Sequence, residues 1–143
     1  MAAGMNAPLY TTEILRLAAG LAEPAVLERV DGTAERRSRT CGSVIQTQVQ
    51  LDESNRIAAL SQTVQACAFG QASAAILASA AAGRDLSEVA AAVPQIAGWL
   101  AGGSIMPDWP GIDALAPARS RPSRHAAILL PFEALAAALE KAG

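Results

Sequence analysis

The sequence predicts an α+β fold: a three-stranded antiparallel sheet packed on one face by helices. Three observations carry that expectation. Apolar residues make up 52% of the chain but aromatic ones only 3%, so the apolar bulk is Ala, Leu, Val and Ile, which suits close helix packing. Between Ser43 and Ala66 the pattern becomes a two-residue alternation broken by a turn cluster, as expected of a hairpin. On both sides of the hairpin, apolar residues recur at helical spacing. A chain of 143 residues suits one domain, spanning 1–143, with a core of its own.

The first element is a short amphipathic helix. Pro8 suits a first helical turn, Ile14, Leu15, Ala18 and Leu21 follow at helical spacing, and Gly20 and Pro24 mark the end. Pro24, Asp31 and Gly32 then break any long periodicity. The charged run Glu35-Arg36-Arg37-Ser38-Arg39 reads as an edge strand or a solvated loop, and beside a hairpin it is the natural third strand. In the hairpin, Ile45, Thr47, Val49 and Leu51 share the buried face and Gln46, Gln48 and Gln50 the wet one. Asp52-Glu53-Ser54-Asn55 turns the chain, and Ala58, Leu60, Val64 and Ala66 alternate with Ala59, Ser61, Thr63 and Gln65 on the way back.

Ala68 to Ala82 is rich in the strongest helix former and closes at Gly83. Asp85 and Glu88 have the spacing of a capping box for the next helix, which Pro94 either interrupts or restarts toward Ile96, Trp99 and Leu100 before Gly102-Gly103. Glycine and proline recur from Gly102 to Pro122, where a long irregular crossing is expected, anchored by Trp109 and Leu115. A last helix runs from about His125 to Ala142, with Ile128, Leu129, Phe132, Leu135 and Leu139 on its apolar side. Trp99, Trp109 and Phe132 read as packing residues. The expected order is α-β-β-β-α-α-(α)-α.

The net charge of −2 and a pI near 5.3 give no general attraction for nucleic-acid phosphates, so no nucleic-acid partner is expected. The start, Met1-Ala2-Ala3-Gly4-Met5-Asn6, has neither the basic nor the apolar region of a secretory signal, and no segment has the uninterrupted apolar length a bilayer requires. The expected location is cytoplasmic, with no membrane partner. In such a reducing compartment two cysteines read as buried apolar residues, metal ligands or reactive thiols rather than as a structural disulfide. Their placement is more telling. Cys41 stands directly before the first hairpin strand and Cys67 directly before the Ala-rich helix, and a hairpin that returns the chain to its starting end lets the two face one site. Sulfurs sharing one metal ion with zinc-like bond lengths lie roughly 3.5 to 4 Å apart. Cys67 also stands where the positive end of the helix dipole favours negative charge.

The order of these elements resembles the iron–sulfur cluster scaffold proteins of the IscU, SufU and NifU N-terminal type. Leu9-Tyr10-Thr11-Thr12-Glu13-Ile14-Leu15 is similar to the family's Leu-Tyr-x-x-x-Ile-Leu start, Cys41-Gly42-Ser43 to its Cys-Gly-Asp, and Cys67-Ala68-Phe69-Gly70-Gln71-Ala72-Ser73 to its Cys-Ala-x-x-x-Ala-Ser. Gly83-Arg84 is similar to the Gly-Lys that ends that helix. Pro122-Ser123-Arg124, followed by Leu130, Phe132, Ala134 and Leu135, falls without a gap on Pro-x-Arg-x-x-Cys-x-x-Leu-x-Trp-x-Ala-Leu. The resemblance covers nearly the whole chain and implies the SufE/NifU-like fold. It departs at two positions: Ala127 stands where the family has its third cysteine and Ser43 where it has the Asp. A His precedes that cysteine in some members. That slot is Ala126 here, and His125 lies one residue earlier, a rotation of roughly 100° on a helix.

What the resemblance implies is a non-enzymatic scaffold that binds iron, zinc or a [2Fe-2S] cluster and accepts sulfur from a cysteine desulfurase. Cys41 and Cys67 are then the cofactor-binding thiolates or persulfide carriers. His125, the only histidine, is the conditional third metal ligand, with Asp108 or Asp113 as candidates for a fourth. Gly42 is expected to let the chain approach the metal. Ser43, a neutral hydroxyl, is a poor ligand for a soft metal and is expected to hold the turn. Apo iron–sulfur proteins are further implied partners, and a homodimer supplying ligands in trans stays open. The basic residues Arg36, Arg37, Arg39, Arg119, Arg121 and Arg124 are either a partner surface or solvated charge that guards an edge strand, and Arg124 alone falls on a family position. The alternatives are a SufE-like sulfur relay that activates a desulfurase through one persulfide cysteine, and a degenerate homologue that binds no metal.

Overall fold

The computed structural model describes residues 10–40 and 42–142; residues 1–9, Cys41 and Gly143 lie outside the described residues, and with them Pro8 at the expected helix start. Helix α1 (Thr12–Ala19) opens on Thr11, whose hydroxyl accepts the Ile14 N–H. Strands β1 (Gly32–Arg37), β2 (Val44–Leu51) and β3 (Ile57–Gln65) follow, then α2 (Ala68–Ala80), α3 (Leu86–Leu100), 3₁₀ helices at Ile112–Ser120 and Pro122–Arg124, and α4 (His125–Ala142). The sheet order is β1-β2-β3, antiparallel throughout. Helix α4 lies across β1 and β2, α2 against β3, α1 on α2 and α3 on α4, so helices cover one face, as the alternation in β2 requires.

Several expectations shift in detail. In α1 it is Leu17, not Leu15, that joins Ile14 at the core; Leu15 is exposed. The third strand begins at Gly32 rather than in the charged run, because Gly32 lies against α4, where a side chain would meet the Ala138 carbonyl and the Ala142 methyl. A register shift at Gln50/Leu51 pairs Leu51 with Ile57 and leaves Ala58 exposed. Beyond it Leu60, Gln62 and Val64 sit opposite Val49, Thr47 and Ile45, which puts Gln62 on the buried face. Ser61 is buried from the other side, where its hydroxyl accepts the Ala25 N–H of the α1–β1 connector.

Pro94 does not interrupt α3. Both Pro94 and Ala90, whose carbonyl loses its helical donor, are exposed, so that carbonyl is not left in the core. The expected capping box forms: the Asp85 carboxylate accepts the Glu88 N–H and the Glu88 carboxylate accepts the Asp85 N–H. Part of the crossing expected to be irregular is 3₁₀ helix, and Trp109 and Leu115 are buried in it. Trp109 Nε1–H donates to the Ile76 carbonyl, its ring meets Phe132 edge-on at 5.0 Å, and the Arg84 guanidinium lies 4.0 Å over it. The turn after α2 clasps the start of β3, with Ile57 N–H donating to the Arg84 carbonyl and Gly83 N–H to the Ile57 carbonyl.

Candidate functional site

Ser43 and Cys67 lie at the same end of the sheet. The register sets Arg37 opposite Val44 and Val44 opposite Gln65, so β1 ends, β2 begins and β3 ends together, and β3 passes straight into α2. The start of α4 docks beside the start of α2. Ser73 Oγ–H donates to the Ile128 carbonyl at 2.6 Å, and a Cβ on Gly70 would lie 3.5 Å from the Ala127 methyl. Sequence reasoning missed this seam; the Ala72-Ser73 motif was its visible trace.

Cys67 is the N-cap of α2. Its backbone is extended and its carbonyl accepts the Gln71 N–H, while the Gln71 side-chain amide donates to the Ala66 carbonyl. The thiol is free, half-buried and makes no capping bond, so the turn is held by its neighbours and the sulfur is left for other chemistry. Phe69, fully buried two residues on, packs on Tyr10 with ring centroids 5.0 Å apart and fixes the helix start against the core.

On the facing loop, Gly42 has φ +73 and its N–H donates to the Ser38 carbonyl, while Ser38 N–H donates to the Ser43 carbonyl. A Cβ on Gly42 would meet nothing within 4 Å, and the left-handed backbone is what asks for glycine there. Ser43 is buried at the end of this turn. Cys41 lies outside the described residues, and so does the separation of the two sulfurs.

His125 is the first residue of α4, half-buried, and its Nε2–H donates to the Ala118 carbonyl at 2.8 Å. In the neutral ring that leaves Nδ1 as the acceptor. Asp108 and Asp113 are exposed, and the Asp108 N–H is engaged by the Gln95 side chain. Among the described residues no three His, Cys, Asp or Glu side chains group closely enough to hold a metal ion, so Cys67 and His125 are not joined there by either Asp. Arg119 serves the fold: it lies over the Trp99 ring and donates to the carbonyls of Trp99 and Gly103. Arg37 pairs with Glu35. No helix among the described residues is long and apolar enough to cross a membrane.

The NifU-like N terminal domain family matches residues 9–108, and the chain belongs to that family. Among solved structures it is similar to a nitrogen-fixing NifU-like protein (N-terminal) from Brucella abortus, at 27% identity over 93% of each chain with a TM-score of 0.83. A protein from Fervidobacterium islandicum, assigned as an iron–sulfur cluster assembly scaffold for the SUF system, shares the fold with a TM-score of 0.78 and 19% identity over 92% of this chain and 96% of its own. No curated protein matches the chain in sequence.

Proposed function

We propose that the protein works in iron–sulfur cluster assembly as a scaffold-type carrier that takes sulfur from a cysteine desulfurase at Cys67 and holds it beside iron or zinc. The carrying observation is the Cys67 thiol: half-buried, uncommitted to capping, and set on a helix start that Gln71, Phe69 and the α4 seam hold in place. The transfer balances without an outside oxidant. The Cys67 thiolate attacks the outer sulfur of the donor's persulfide, the donor's S–S bond breaks as the new one forms, and the donor leaves as a thiolate. Cys41 and Cys67 would be the thiolate ligands of the metal and His125 the third. An imidazole that donates one N–H to a backbone carbonyl, as His125 does to Ala118, has the orientation usual in metal-binding histidines.

Anaerobic incubation with a cysteine desulfurase and cysteine tests this reading. The expected result is one added sulfur per chain by intact mass, lost in Cys67→Ser; an unmodified wild-type chain overturns it. The relay reading is favoured by Ala127 and Ser43, which stand where the family has its third cysteine and its Asp, and sulfur uptake unchanged by a chelator would select it.

A further inference from the structure

We infer that Ala127 restricts the cargo of this site to sulfur or a single metal ion and excludes a [2Fe–2S] cluster. The inference rests on the proposed role of Cys67 and goes beyond it. A [2Fe–2S] cluster takes four protein ligands, thiolate or imidazole. The whole chain has two cysteines and one histidine, so within one copy every soft donor it owns leaves the set one short. Among the described residues no carboxylate joins Cys67 and His125 in a ligand group. The geometry shows where the shortfall lies. Position 127 is in the first turn of α4, 1% exposed, with its methyl turned to Gly70 in the first turn of α2, three residues after Cys67. A thiol there would face the turn that carries Cys67; the chain supplies a methyl group, which ligates nothing. Ser43, also at this end, offers a neutral hydroxyl, a weak ligand for iron in a sulfide cluster.

The test is anaerobic reconstitution of the wild-type protein, Ala127→Cys and Ala127→Ser with ferrous iron and sulfide, reading iron and acid-labile sulfide per chain, the visible spectrum and the mass in solution. The wild type and Ala127→Ser should retain no cluster after desalting. Ala127→Cys should retain one, and its zinc affinity should rise roughly tenfold or more. A stoichiometric cluster on the wild type, in a monomer or bridging two copies, overturns the inference, as does a folded Ala127→Cys protein that gains neither cluster nor zinc affinity. Should Ala127→Cys fail to fold, cluster retention by the wild type alone decides. Sulfur uptake from glutathione persulfide, read by mass on the wild type and Cys67→Ser, separates the two readings. If Cys67 takes no sulfur, the carrier role falls while the cluster result stands by itself.

Discussion

Thr47 and Gln62 are cross-strand partners on the buried face, and the Thr47 hydroxyl and the Gln62 carbonyl oxygen have no hydrogen-bond partner among the described residues. Gln62 spends its N–H on the Ala74 carbonyl. A buried hydroxyl without a partner costs on the order of 1–3 kcal/mol, so Thr47→Val should stabilise the protein by about 1 kcal/mol or more, measured by denaturant titration. Asp31 gives a pH-dependent counterpart. The Arg29 guanidinium, bonded to it at 2.8 Å, and the Leu51 N–H hold its carboxyl below the usual carboxylate range. A lowered carboxyl contributes stability that is present above the ordinary value and lost as pH falls through the lowered one. Asp31→Asn should therefore melt below the wild type at neutral pH, and the gap should close as the pH drops beneath the carboxylate range. Single residues were also where the sequence was most and least legible. Cys67 could be placed at a helix start because a local change of period marks it. That the His125 ring turns to Ala118 could not be read, because the conformation of a proline-rich crossing sets it.

At the scale of elements, most boundaries were legible because local chemistry writes them. The capping box at Asp85 and Glu88 and the start of α4 at His125 stand where the sequence put them. Asp85→Ala should cost about 1 kcal/mol by the same denaturant measurement, with α3 fraying first in hydrogen exchange. Proline was less legible. Pro94 and Pro131 both lie within helices, and a sequence does not show whether the orphaned carbonyl four residues back meets water. At Pro94 that carbonyl belongs to the exposed Ala90, and Pro94→Ala should raise the melting temperature by restoring a helical hydrogen bond. The Gly32 start of β1 was hidden for a different reason: it is set by the approach of α4, more than a hundred residues away in the chain.

Across the whole molecule, the long crossing between α3 and α4 is held by one aromatic anchor. Trp109 touches α2 through Ile76, α4 through Phe132 and the α2–α3 turn through Arg84. Trp109→Ala should cost about 3–5 kcal/mol, seen as an early loss of near-ultraviolet circular dichroism on heating. The crossing also carries the Ala118 carbonyl, so the same variant should loosen His125 and broaden its ring resonances. The paired clasp at Ile57 reaches further than its two bonds. A sheet margin is where a foreign chain can add itself and seed aggregation. With the N–H and carbonyl of Ile57 already occupied by Arg84 and Gly83, the β3 margin is closed at its end remote from the thiol, so a peptide adding to that margin has to start beyond Ile57, toward Cys67.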